Sequence, residues 1–111
     1  DIRFHAQFVE LPLPESIDHM QAYFDFEKTG GNIRLRFFQP GDSFVPLGMQ
    51  GHKKVKSFFI DQKIPRKKRP FIPILINGND NIIWIYGERI SDSFRVDATT
   101  KKVLFIEGKV I

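Results

Sequence analysis

Cysteine is absent from this 111-residue chain. That excludes disulfide staples, thiolate metal sites and cysteine nucleophiles together, and it fits a reducing compartment. Long apolar runs are also missing: none approaches the ~20 residues of a membrane-spanning helix, so no membrane partner is expected. The Asp-Ile-Arg-Phe start carries neither a signal-peptide pattern nor an initiator methionine, which points to a fragment or a processed product. Tryptophan occurs once and tyrosine twice, so the aromatic mass rests on 12 Phe. Proline and glycine are modest at 7 and 8, and 27% of the residues are charged, a globular composition of single-domain size.

Catalytic equipment is missing as well. The three histidines, His5, His19 and His52, fall in unrelated stretches, and none has a metal-ligand spacing to another histidine or carboxylate. The glycines match neither a phosphate-binding loop nor a dinucleotide fingerprint. Carboxylates are dispersed; Asp42 follows a Pro-Gly turn, where aspartate is common for structural reasons. No active site and no cofactor are expected within this chain.

What is present begins with a period of two. Ile2, Phe4, Ala6 and Phe8 alternate with Arg3, His5 and Gln7, as in a half-buried strand. Leu11-Pro12-Leu13-Pro14 ends any ladder there, and Glu15 to Met20 suits a short helical turn. A strand over Ala22–Glu27, the turn cluster Lys28–Asn32 and a strand over Ile33–Phe38 read as a hairpin. In the second strand Ile33, Leu35 and Phe37 share one face and Arg34 and Arg36 the other. Gln39-Pro40-Gly41-Asp42 closes it.

From His52 the period becomes helical, with Val55, Phe58 and Phe59 in one apolar stripe. The spacing predicts a helix over 52–61 and one further turn over Arg66–Arg69. Strands return at Phe71–Ile76, Ile82–Tyr86, Ser93–Val96 and Val103–Ile106, with Asn77–Asn81 as the turn between the first two. About seven strands around one helix make an α+β domain. Residues 1–21 read as a strand and connector of unassigned role, and 22–111 as the body of the domain.

Charge is unevenly placed. Between His52 and Arg69 stand Lys53, Lys54, Lys56, Lys63, Arg66, Lys67, Lys68 and Arg69 against Asp61 alone, eight bases to one acid and a net of +7. The remainder has nine bases and twelve acids, a net of −3. Lysines at a helix start oppose the helix dipole, so local stability does not explain Lys53 and Lys54. A bound polyanion does: phosphates would neutralise them and the second cluster alike. A plain solvated basic face is the bland alternative. The acidic remainder favours nucleic acid, with Arg34 and Arg36 extending the patch. The rival class is a protein-interaction module that docks an acidic partner.

Two stretches resemble a known family. Leu35 through Met49, then Gly51, Lys53-Lys54-Val55, Lys63-Ile64-Pro65 and Arg69, are similar to the C-terminal domain of tRNA(Ile)-lysidine synthetase. Ile83 through Ile90 and Phe94-Arg95-Val96 are similar to the end of the same domain, and the likeness runs over about residues 22–107. The resemblance implies a three-layer α+β fold of mostly antiparallel strands with one main basic helix and short helical turns. The same fold would occur in a region of the phenylalanyl-tRNA synthetase β-subunit. It further implies a cytoplasmic parent ligase that uses ATP with Mg to attach lysine to the wobble cytidine of tRNA(Ile). The Ser-Gly-Gly-x-Asp-Ser loop for that chemistry is absent here, so ATP would bind the parent's catalytic domain, itself an expected partner. This domain would contact the tRNA acceptor stem and backbone. Arg36, Lys53, Lys54, Lys63, Arg69 and Arg89 match the family's basic positions, and Gly41, Asp42, Gly48, Gly51 and Gly87 its turns. Lys56, Arg66, Lys67 and Lys68 join the expected nucleic-acid-binding set.

Overall fold

The computed structural model describes residues 1–14 and 17–111; the first part of the expected turn at Glu15–Met20 lies outside them. In chain order the elements are β1 (Ile2–Val9), β2 (Gln21–Asp25), α1 (Phe26–Thr29), β3 (Arg34–Arg36), β4 (Ser43–Phe44) and β5 (Lys53–Lys54). Then follow α2 (Val55–Asp61), β6 (Ile74–Ile76), β7 (Ile82–Ile85), β8 (Arg89–Ile90) and β9 (Val103–Val110). Short 3-10 turns occupy Arg69–Phe71 and Asp92–Phe94.

Three antiparallel sheets form, in the orders β1-β9-β2, β3-β6-β7-β8 and β4-β5. Every residue of β6 and β7 is buried, and the reason is position: they lie in the middle of three layers. On one side Leu75, Ile83 and Trp84 pack against Ala22, Phe24, Leu104 and Ile106 of the three-stranded sheet. On the other, Ile74, Ile76, Ile82 and Ile85 pack against Val55, Phe58 and Phe59 of α2. A strand with both faces covered reads as a continuous apolar run, as Ile82-Ile83-Trp84-Ile85 does. The α+β class and the layered antiparallel arrangement expected from the sequence are present.

β1 pairs with β9 along its full length, from Ile2 opposite Val110 to Val9 opposite Val103. Residues 2–9 are thus part of the sheet. The hairpin expected from 22–38 does not form. Asp25 caps α1 by accepting the Lys28 N–H at 3.1 Å, and Gly30 ends that helix at φ +73°. The glycine cluster is therefore a helix C-cap, and it sends the chain to the other sheet, where β3 pairs with β6. The strand expected at Ser93–Val96 is a 3-10 turn instead. Ser91 Oγ accepts the Ser93 N–H, the local competition that serine offers a ladder. The turn at 77–81 stands as expected: Asn77 Oδ1 accepts the N–H groups of Asn79 and Asn81, both at 3.0 Å.

Gly108, on β9, sits against the Tyr86 ring. An added Cβ would lie 2.6 Å from Tyr86 Cζ and Oη, and the ring has little room to yield between Phe4 and Trp84, at 5.0 and 5.2 Å. Gly108→Ala is expected to lower stability by about 1–3 kcal/mol, the usual cost of overpacking. The Tyr86 hydroxyl is buried and has no hydrogen-bond partner among the described residues. Tyr86→Phe should therefore be neutral or stabilising by about 1 kcal/mol. Urea unfolding of the two variants checks both; an unchanged midpoint for Gly108→Ala would contradict this packing.

Candidate nucleic-acid interface

Two loops fold onto the start of α2 and form the candidate surface with it. The first, residues 37–42, turns at Gly41, where φ of +91° favours a residue without Cβ. Gly48, Gly51 and Gly87 also take positive φ, at the turns the sequence marked. Asp42 clamps the loop. Its carboxylate accepts the Gln39 N–H at 2.9 Å and two hydrogen bonds from Arg36, at 2.9 and 3.0 Å. Its carbonyl accepts the Val55 N–H at 2.9 Å, tying the loop to the first residue of α2.

Arg36 also bonds Asp80 at 3.2 Å and the Phe37 carbonyl at 3.1 Å. Its hydrogen bonds to Asp42 lead in raising its pKa above the ordinary arginine value. Burial raises the Asp42 carboxyl, but the Arg36 hydrogen bonds and the Gln39 N–H outweigh it and hold the group below its usual value. Arg36 is thus committed to the fold, and its side chain is 16% exposed.

The helix expected over 52–61 begins only at Val55. Lys53 and Lys54 are extended, paired with Phe44 and Ser43 of β4, and Lys54 is the N-cap at ψ 135°. A strand sends successive side chains to opposite sides, and the two lysines part accordingly. Lys53 forms an ion pair with Asp61, while Lys54 borders a groove of about 540 Å³. Lys56, from the first turn of α2, and Arg69 border it too, and Phe38 and Phe59 form its floor, ring to ring at 5.7 Å.

Arg69 comes from the second loop. Lys63 takes the left-handed conformation at φ +57° after α2, and the chain reverses. The N–H of Lys68 then bonds the Pro65 carbonyl and that of Arg69 the Arg66 carbonyl, the expected turn over 66–69. Arg69 Nε donates to the Ile64 carbonyl at 3.0 Å, which fixes the guanidinium at the groove's rim.

Lys54, Lys56, Lys63, Arg66, Lys67, Lys68 and Arg69 have no carboxylate within 4.0 Å among the described residues. The excess positive charge of the segment is therefore left unneutralised. The expected set does not form one patch, however. Lys54, Lys56 and Arg69 converge on the groove; Lys67 and Lys68 border a separate depression beside Phe71. Arg34 lies near Leu35 at the β3 edge, and Arg89 lies 5.6 Å from the Phe58 ring centroid, on another depression with Glu88 and Arg95. Phe38, part of the floor, escaped the alternation because it is out of phase with Leu35 and Phe37, which are 45% and 47% exposed. No cluster of three His, Cys, Asp or Glu suited to a metal occurs among the described residues.

The model of one family, the TilS substrate C-terminal domain, matches residues 33–107. The chain is 49% identical to the tRNA(Ile)-lysidine synthase of Caldanaerobacter subterraneus subsp. tengcongensis, over 95% of this chain and 23% of that protein. It is 49% identical to the one from Clostridium tetani, over 77% of this chain and 18% of that protein. With the one from Parabacteroides distasonis it shares 34%, over 96% and 24%. The chain thus spans about a quarter or less of these relatives' lengths, and the likeness reaches into residues 1–21, beyond the stretch the motifs mark. In fold it is similar to a crystal structure of a TilS C-terminal domain, with a TM-score of 0.85 at 24% identity, over 99% of this chain and 85% of that one. A lesser likeness joins it to an N-terminal fragment of the phenylalanyl-tRNA synthetase β-subunit from Pyrococcus horikoshii. There the TM-score is 0.68 at 22% identity, over 79% of this chain and 27% of that one.

Proposed function

Since this chain belongs to the TilS substrate C-terminal domain family, we propose that it is the tRNA-gripping module of a tRNA(Ile)-lysidine synthase and carries out no chemistry itself. The observation that carries this reading is the set of unneutralised bases at the groove. Lys54, Lys56 and Arg69 surround one concave surface, and none has an acidic partner among the described residues. Like charges held together repel unless a polyanion or solvent ions screen them, and a polyanion does so by direct contact. A phosphate backbone laid across the groove would supply that screening and release its own counterions.

In this reading the domain contacts the backbone of tRNA(Ile) along the acceptor stem and holds it in register. ATP and Mg act in the catalytic domain of the same polypeptide, which also meets this one, all within the cytoplasm. Contacts to phosphate set position rather than sequence, so the choice of tRNA would come from shape and from any base edge the rim reaches.

Gel shift with bulk tRNA, against duplex DNA of equal charge as competitor, tests the reading. The expected result is binding that weakens steeply with salt and survives the DNA. Failure to bind tRNA at low salt, with capture of an acidic protein instead, would favour the docking-module alternative.

A further inference from the structure

Phe71 is 76% exposed, more than any other aromatic side chain among the described residues, and the groove does not account for it. Its position is set by the backbone. Pro70 precedes it, its N–H bonds the Lys68 carbonyl at 3.0 Å, and the Ile72 N–H bonds the Arg69 carbonyl at 3.4 Å. Ile72 turns inward onto the core beside α2, so the neighbouring ring projects. The fold thus holds a large apolar face in water, on a backbone turn stiffened by proline.

Its surroundings indicate what covers it. Lys67 and Lys68 border the same open depression of about 360 Å³, with Met20, Tyr86 and Gly87 along the wall. Both lysines lack an acidic partner among the described residues. Glu88 also lines the depression, with burial raising its carboxyl and His19 and Arg89 acting against that. A flat apolar ring framed by unneutralised ammonium groups complements a ligand with a flat face on an anionic chain. An unpaired nucleotide has both. Paired bases in a duplex do not, because their faces are already stacked on one another.

We infer that Phe71 is a stacking platform for an unpaired RNA nucleotide, with Lys67 and Lys68 on the flanking phosphates. The inference rests on the tRNA reading above but uses a different surface from the groove. It adds a preference for single-stranded RNA next to a stem.

The test compares a blunt hairpin RNA with the same hairpin bearing a short single-stranded 3′ extension, by fluorescence anisotropy. Wild type, Phe71→Ala and Phe71→Trp are measured. The extension should strengthen wild-type binding about tenfold. Phe71→Ala should lose that gain and keep the affinity for the blunt hairpin, whereas Phe71→Trp should retain it. A 2-aminopurine at the first unpaired position should be quenched by wild type and not by Phe71→Ala. No gain from the extension overturns the inference, as does equal weakening of both RNAs by Phe71→Ala. Blunt-hairpin binding without a gain removes this inference alone; no binding of either RNA removes the tRNA reading with it.

Discussion

Arg36→Ala is expected to lower the stability of the fold by about 2–3 kcal/mol, although the arginine looks like a surface base in the sequence. The substitution strips Asp42 of two hydrogen bonds and its counter-charge while leaving the carboxylate 11% exposed. It also releases Asp80 and the Phe37 carbonyl. For a domain of this size that deficit corresponds to a melting point roughly 10–20 °C lower. Arg34→Ala, two residues away on an exposed side chain, should stay within about 0.5 kcal/mol of wild type. Arg36→Lys should recover only part of the deficit, since an ammonium cannot reproduce the paired guanidinium geometry.

The effect carries a pH signature. Asp42 has its pKa lowered in the folded state, so its contribution is present above the unfolded carboxylate value and is lost as pH falls through the folded one. Without Arg36, burial is left to raise Asp42. The variant should therefore lose much of its deficit relative to wild type on acidification. Thermal melts at neutral and mildly acidic pH check this; coincident melts for Arg36→Ala and Arg34→Ala would contradict the clamp.

Combining Lys54→Ala with Lys56→Ala should weaken tRNA binding about thirtyfold at physiological salt. The size follows from counterion release, in which each neutralised phosphate contributes roughly 0.7 log units between 1 M and 0.15 M salt. Both side chains are exposed and neither forms an ion pair among the described residues, so the fold should tolerate the change. Lys53→Ala is the informative contrast. Its charge is already matched by Asp61, so its effect on affinity should be several times smaller than that of either neighbour. A variant set in which Lys53 dominates would place the tRNA on the other side of β5.

Adjacent Lys53 and Lys54 differ through a partner, Asp61, that no linear pattern marks. Periodicity placed β1, the core of α2, the buried run of β7 and the turn at 77–81, because each depends on local alternation or turn chemistry. It failed at 22–38, where turn residues end a helix rather than join two strands, and only the distant partner β9 decides the pairing of β2. It also failed at Ser93–Val96, where Ser91 Oγ accepts the Ser93 N–H and the Asp92 carboxylate accepts the N–H of distant Gly48. Composition located the excess charge correctly along the chain. Which bases were already neutralised depended on Asp42, Asp61 and Asp80, none of them visible as partners in a linear pattern. Phe71 was legible as part of a strand and not as a projecting ring, because Pro70 and a 3-10 turn set its direction.

In the proposed function, phosphates of tRNA lie in the groove bordered by Lys54, Lys56 and Arg69. A plot of the logarithm of the tRNA association constant against the logarithm of salt concentration, for wild type and for the Lys54→Ala, Lys56→Ala variant, decides whether they do. Two straight lines are expected, with the variant's slope shallower by about two units, one for each phosphate that no longer meets a lysine. Parallel lines would mean that neither lysine meets a phosphate, and would contradict that function.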